Sequence, residues 1–374
     1  MTSIRSAVLR REGCTAPFAD SRPLELQALE LAAPMPGELQ VRIDAAGLCH
    51  SDLSVVNGDR PRPLPMALGH EATGIVEVLG DPADTGFAVG DRVVLVFLPA
   101  CGECARCAAG EGYLCEPATA ANGRGDLLRG GSRLCAHDGP VRHHLGVSAF
   151  SSHVVVDRRS AVRIDADIPP QIAALFGCAV LTGVGAVMNS AAVRPGESVV
   201  IYGLGGVGLA ALLGAVASGA NPIVAIDPSA EKRALALELG ASVAADPGEA
   251  DAALAAALPG GADVVIETVG KAAVLERAYA TGRRGARIVT VGLPNPAEMF
   301  SIPAVSLVAG GKTLIGSYMG SSIPARDIPR YIGLWRAGRL PVDRLLTSVS
   351  RLDAINGLLD ELAAGRAVRQ VVIP

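Results

Sequence analysis

The chain has 374 residues, 50% of them hydrophobic and 19% charged, with a formal net charge of -4 at neutral pH. That length exceeds what one hydrophobic core usually supports, so two domains are expected, and the composition excludes a disordered chain. The charge balance offers no basic footprint, which leaves nucleic acid and acidic membrane surfaces without a binding patch and points to a small-molecule partner.

The opening MTSIRSAVLRREGC has no sustained apolar stretch of the signal-peptide kind, and the later apolar runs are interrupted by glycine. A cytoplasmic location is expected, with no membrane span. From the start to about residue 160 the text is rich in glycine and proline, with short alternating stretches such as ELQVRID, ATGIVEVLG and GDRVVLVF. A period of two bounded by turn residues predicts antiparallel strands, so the first part is mostly β.

Two groups of metal-ligand residues lie in this part. Cys101, Cys104, Cys107 and Cys115 fall within CGECARCAAGEGYLC. Four thiolates at such gaps form a closed tetrahedral cage, which holds structure and has no open position; a redox-sensing cysteine cluster is the alternative. Cys49 and His70, with Cys178 far downstream, offer two thiolates and one imidazole. That set leaves a fourth position for water or substrate, the arrangement of a catalytic zinc. Two zinc ions per chain with different tasks are therefore expected. In a reducing compartment this spacing reads as metal ligation rather than disulfides, and Cys14 and Cys135 read as ordinary thiols.

Around the three-ligand set, Asp52 is the candidate to fix the tautomer of His70. Ser51 is placed to take a hydroxyl proton, and Glu71 either approaches the metal during ligand exchange or neutralises a buried base; for Ser51 and Asp52 a loop-capping pair is the alternative. His143 and His144, in RHHLGVSAF, read as surface or packing histidines.

Near residue 195 the pattern changes to strand and helix in alternation: SVVIYG, an Ala/Leu helix to Gly219, PIVAID, SAEKRALALELG, ADVVIETVG, a further helix, and ARIVTVG. Continuously apolar strands separated by helices predict a parallel sheet covered on both faces. Gly203, Gly205 and Gly208 form G-x-G-x-x-G directly after the first of these strands, with Gly206 and Val207 in the same turn. The glycines allow a tight turn, approach of backbone to a pyrophosphate, and close helix packing, and the helix N-terminus favours phosphate. Asp227, at the end of the next strand, suits the adenosine ribose hydroxyls and repels a 2'-phosphate, which favours NAD over NADP; the alternative is an aspartate capping the helix that starts near Ser229. After about residue 318 come amphipathic helices and a last strand, VRQVVIP, which either form an appendage or return to complete the first domain.

Taken together, GLCHSD, GHEATG, CGECARC, HHLGVSAFSSHVVV, FGCAVLTGVGAV, VIYGLGGVG with Asp227, and AVRQVVIP resemble the zinc-dependent medium-chain alcohol dehydrogenase family over nearly the whole chain. The resemblance implies an α/β protein: a GroES-like, mostly-β catalytic zinc domain (1–180 and 319–374, with a structural zinc lobe at about 98–117) and a Rossmann doubly wound parallel sheet (181–318) that binds NAD. It implies that His50 and Arg369 meet the cofactor pyrophosphate, that Thr182 and Val207 hold the nicotinamide, and that Thr268 and Val269 line the cofactor path. It implies further that Phe97, Leu293 and Tyr318 shape an alcohol pocket, and that Ser51 begins a proton relay. A homodimer or homotetramer is implied, paired through GARIVTVG and GKTLIGSYMG.

Two departures matter. Where many members end the relay with histidine, this chain has Ser54, which cannot act as a base near neutral pH, so the proton leaves through the ribose and water or with help from His50, and an alkaline optimum for oxidation is expected. The glutathione-dependent formaldehyde dehydrogenase branch is similar, yet its acidic residues before GHE are replaced by DRPRPLP, with Arg60 and Arg62. The expected activity is NAD-linked reversible oxidation of primary alcohols, aryl and allylic ones included, to aldehydes by hydride transfer from a zinc-bound alkoxide. A formaldehyde dehydrogenase acting on an S-hydroxymethyl-thiol adduct is the second reading, and a non-enzymatic NAD or redox sensor a third.

Overall fold

The computed structural model describes residues 1–374 and divides into two compact units. The first comprises Met1–Cys178, Ile323–Pro329 and Leu346–Pro374, the second Ala179–Ser322 and Arg330–Leu345. Sequence reading placed the whole of 319–374 with the first domain. Met319–Ser322 and Arg330–Leu345 instead belong to the second, the latter because Tyr331, Ile332, Leu340, Val342 and Leu345 are buried there and the Tyr331 hydroxyl meets Asn189 Nδ2 at 3.4 Å.

In the first unit, strands Thr2–Leu9, Leu24–Leu31, Leu134–Ala136, Gly139–His143 and Met66–Ala67 close a small barrel. A seven-stranded sheet carries the larger core. Its central strand, Glu38–Leu48, is buried along nearly all its length and pairs antiparallel with Glu71–Leu79, His153–Asp157 and the last strand, Arg369–Ile373. The C-terminal strand therefore completes the first unit rather than forming an appendage. The register has a functional consequence: Gly47 lies opposite both Glu71 and Val371, and Leu48 opposite Gln370. Three strand ends thus bring Cys49, His70 and Arg369 to one place. Gly47 is required there, since an added Cβ would collide with the Glu71 carboxylate.

The second unit is a six-stranded parallel sheet in the order Val243–Ala245, Ile223–Ile226, Val199–Tyr202, Ala262–Glu267, Gly282–Thr290, Thr313–Gly316. Val199–Tyr202 and Ile223–Ile226 are buried at every position, as strands covered on both faces must be. Numbered along the chain, the strand order is 3-2-1-4-5-6, that of a Rossmann sheet, whose crevice opens between strands 1 and 4 at their carboxyl ends. No single helix in the chain is long and apolar enough to cross a membrane.

Candidate active site

Cys49 directly follows the central strand and is the N-cap of the short helix His50–Val56, His70 precedes the strand Glu71–Leu79, and Cys178 follows the short helical turn Ala174–Gly177. All three are buried, and their ligand atoms lie within 4.8 Å of one another. His70 Nδ1 is 3.1 Å from Asp52 Oδ1, while its Nε2 is buried without a hydrogen-bond partner. With the proton drawn to Nδ1, the lone pair on Nε2 is available to an electrophile. The two sulfurs cannot both ionise unaided. A hydrogen bond from Cys178 holds the Cys49 thiol well below its ordinary value, and that same bond, with burial, pushes Cys178 well above its own. Two thiols of which one resists ionisation, facing an orphaned imidazole nitrogen, form a donor set that fits a divalent cation of the zinc type.

Asp52 fixes this arrangement with both oxygens. Oδ2 accepts the Cys49 N–H at 3.0 Å, and Oδ1 accepts the Gly69 N–H at 3.2 Å besides meeting His70. Burial works against its charge, but His70 and His144 outweigh burial and lower its pKa to about 2. Burial likewise works against a charged His70, yet Asp52 and Cys49 raise its pKa well above the usual imidazole range, so a cation binding at Nε2 would displace a proton from it. Glu71 is fully buried, 3.2 Å from the Arg369 guanidinium, and burial raises its pKa. Arg369 is itself 3% exposed. Burial opposes its charge, but Glu71, Cys49 and Cys178 outweigh burial and raise its pKa. Its Nε and Nη2 make no hydrogen bond. Ser51 Oγ is 4.0 Å from Cys49 Sγ, His50 is exposed, and the Phe97 ring stands edge-on to His70 with centroids 5.9 Å apart. Arg62, in the run that departs from the formaldehyde dehydrogenase branch, is half-buried with Nη1 3.5 Å from the Asn122 carbonyl.

The four cysteines of the local run also converge, with their sulfurs within 4.8 Å of one another. N–H groups aim at these sulfurs: Glu103 and Cys104 donate to Cys101 Sγ at 3.4 and 3.3 Å, and Cys101 donates to Cys115 Sγ at 3.2 Å. The Glu103 N–H, chief among the causes, lowers the Cys101 pKa to about 7, whereas burial pushes Cys107 up to about 12. Every cysteine in the chain, Cys14 and Cys135 included, is free of disulfide.

In the second unit Gly203 takes φ +89°, and at Gly208 a Cβ would collide with the Gly203 carbonyl. Around Gly205, at the start of helix Gly206–Ala217, a Cβ would meet nothing within 4 Å, so backbone there borders open space. Thr268 joins the two strand ends by donating to the Tyr202 and Gly203 carbonyls at 3.0 Å each. Asp227 bridges the glycine turn and the residue that opens the next helix, and the expected cap of that helix is Ser229 rather than Asp227. Oδ2 accepts the Leu204 N–H of the glycine turn at 2.7 Å and Oδ1 accepts the Ser229 N–H at 2.9 Å, while Ser229 itself caps the helix. Arg233 Nη1 is engaged by the Asp227 and Pro228 carbonyls. Thr182 is buried, Val207 and Tyr318 are half-buried, and Val269 and Leu293 are exposed.

Sequence reasoning missed several neighbours. Of the surface and packing readings of His143 and His144 only the second survives, since both are buried, but neither reading foresaw that His144 Nδ1 lies 3.2 Å from the Asp52 oxygen that meets His70. Glu267 accepts the Val269 and Gly270 N–H groups at 2.6 and 2.7 Å and the Thr290 hydroxyl at 2.8 Å, shaping the loop that carries Thr268 and Val269. Beyond Tyr318, Met319, Gly320 and Ser321 all have positive φ, of 54°, 66° and 47°. Each non-glycine residue in that region costs about 1–2 kcal/mol. The turn is held by Ser322 Oγ on the Leu181 carbonyl and Asn189 Nδ2 on the Gly320 carbonyl, beside Thr182. Only the histidine doublet left a trace in the text; the other contacts depend on residues brought together by folding.

Comparison with known proteins agrees with this geometry. The alcohol dehydrogenase GroES-like domain matches residues 35–166, and the zinc-binding dehydrogenase family matches residues 206–335. A geraniol dehydrogenase of Castellaniella defragrans is 39% identical over 99% of this chain and 98% of its own length. Among solved structures, an alcohol dehydrogenase zinc-binding domain protein from Burkholderia ambifaria is 35% identical, with a TM-score of 0.93 over 100% of this chain and 99% of that one. A benzyl alcohol dehydrogenase from Acinetobacter calcoaceticus is 31% identical, with a TM-score of 0.92 over the same shares. With both parts matched in order and relatives aligned end to end, the chain belongs to the zinc-dependent medium-chain alcohol dehydrogenase family and is an oxidoreductase.

Proposed function

We propose that the protein catalyses NAD-linked, reversible oxidation of primary alcohols to aldehydes, with allylic and aryl alcohols as its substrate class and two zinc ions per chain. The observation that carries this reading is the convergence of Cys49 Sγ, Cys178 Sγ and the unpartnered His70 Nε2. The geraniol and benzyl alcohol dehydrogenases among its relatives support the substrate class.

When bound, zinc would supply a Lewis acid for the substrate oxygen and NAD a hydride acceptor. Cys49, His70 and Cys178 would hold the first ion, and Cys101, Cys104, Cys107 and Cys115 the second. Asp52 keeps the proton of His70 on Nδ1, leaving Nε2 to ligate. Arg369 offsets the negative charge of the sulfurs, and Glu71 in turn balances Arg369. Ser51 Oγ accepts the hydroxyl proton of the alcohol and passes it outward toward exposed His50, as Ser54 offers no base. Phe97 supplies an apolar wall beside His70. In the second unit the N–H groups at the start of helix Gly206–Ala217 would receive the pyrophosphate, and the remaining lone pairs of Asp227 the adenosine ribose hydroxyls, which disfavours NADP. Thr182, Val207, Thr268 and Val269 border the nicotinamide path in this reading. A second copy is the expected partner along Thr313–Gly316, the open edge of the parallel sheet.

The test follows NADH absorbance with benzyl alcohol, geraniol, ethanol and formaldehyde, with and without a thiol. The reading expects turnover of the aryl and allylic alcohols with NAD and no need of thiol. Activity only with formaldehyde plus thiol would replace it with the thiol-adduct reading.

A further inference from the structure

His144 is a buried titratable side chain to which the mechanism above gives no task. It is 1% exposed and follows the strand Gly139–His143. Its backbone N–H is held by the Ala67 carbonyl at 3.2 Å and Ser148 Oγ at 3.0 Å, and its carbonyl accepts the Val147 N–H at 3.0 Å. The ring stands edge-on to His70, with centroids 5.4 Å apart at 83°. Nδ1 lies 3.2 Å from Asp52 Oδ1 but off the line of a good hydrogen bond.

That offset has a simple cause. Oδ1 already accepts the Gly69 N–H and meets His70 Nδ1, and an oxygen with two lone pairs receives a third donor only obliquely. The alternative tautomer would set an imidazole lone pair against a carboxylate oxygen where both side chains are buried, which is repulsive. The proton of neutral His144 therefore belongs on Nδ1, facing Asp52. Packing alone would be served by any flat apolar side chain of this size, yet such a side chain would leave the inner side of the carboxylate without this N–H.

We propose that His144 is a positioning residue of the three-ligand metal site: its Nδ1–H pins the Asp52 carboxylate against His70, so that His70 Nε2 stays aimed between Cys49 and Cys178. It touches neither substrate nor cofactor in this account. The proposal rests on the reading of Cys49, His70 and Cys178 as the holders of one zinc.

The experiment measures zinc release from the intact holoprotein to excess chelator with a metallochromic dye. The parent should release two zinc ions per chain in separable phases, and Cys49→Ala identifies the phase that belongs to the three-ligand site. Loss of a hydrogen-bonding partner behind a metal ligand commonly costs about 10–100-fold in affinity, so His144→Leu should speed that phase about tenfold and leave the other within about twofold. His144→Asn, whose amide N–H can stand in for Nδ1–H, should recover most of the loss. Release from His144→Leu at the parent rate, equal acceleration of both phases, or an Asn variant as fast as the Leu variant would each overturn the proposal. A parent without the Cys49-dependent phase would remove the metal assignment itself, and the proposal with it.

Discussion

The two sulfur clusters of the first unit gather metal-ligand donors by opposite means, four thiols in one and two thiols with an imidazole in the other. Cys101, Cys104, Cys107 and Cys115 come from one short run, are partly exposed except for Cys115, and receive backbone N–H groups from that same run. Cys49, His70 and Cys178 come from separate strand and turn ends, are all buried, and depend on Asp52, Glu71 and Arg369 for charge balance. A local cage needs little beyond its own loop. A distributed site needs the whole sheet in register, and its three donors would leave a bound ion one open position tuned by the surroundings.

The sharpest way to break this contrast is to remove one ligand from each cluster. Cys49→Ala should lower kcat about a thousandfold or more and release one zinc, while NADH binding, read by fluorescence, survives. Cys104→Ser should also cost one zinc, but the expected damage is structural: faster proteolysis around the lobe and a lower Tm, with the three-ligand zinc retained. If both variants lost both ions, the two sites would not be independent. Asp52→Asn comes next, with zinc affinity at the three-ligand site falling about 10–100-fold in competition titrations and the four-cysteine site unmoved.

A smaller effect separates the buried histidines. His143, beside His144 in the chain, accepts the Arg133 N–H at 3.1 Å, and burial lowers its pKa to about 3. Unfolded, the same imidazole titrates near 6.5. The folded state then binds fewer protons than the unfolded one between these values, so stability is full above about 6.5 and declines as pH falls toward 3. The slope is about 1.4 kcal/mol per pH unit at most. Denaturant unfolding of His143→Gln, which keeps an acceptor but does not titrate, should show a shallower decline over that window; an identical slope would count against the assignment.

Much of this was legible in the chain before folding. The period-two stretches and the strand-helix alternation announced a β part and a parallel sheet, and the glycine turn with Asp227 marked the crevice. Metal-ligand residue types are rare enough to be noticed even when far apart, so Cys49, His70 and Cys178 stood out. Their supporting residues did not. His144, Glu267 and the Ser322 and Asn189 hydrogen bonds consist of common residues whose function depends on tertiary placement, and no spacing rule links His144 to Asp52. The return of Arg369 was carried by a final strand whose partner, Glu38–Leu48, could be known only from the sheet. The expected end of the second domain was off for a related reason, since an amphipathic helix does not say which core receives its apolar face.

The measurement that bears most directly on the account is anomalous diffraction from crystals of active protein, collected on both sides of the zinc absorption edge. It should show one peak within the lobe and another at bonding distance, about 2.0–2.3 Å, from Cys49 Sγ, Cys178 Sγ and His70 Nε2, with the remaining side of that ion open. Active protein without a peak among those three atoms, or with a fourth side chain of the chain closing the site throughout turnover, would contradict it.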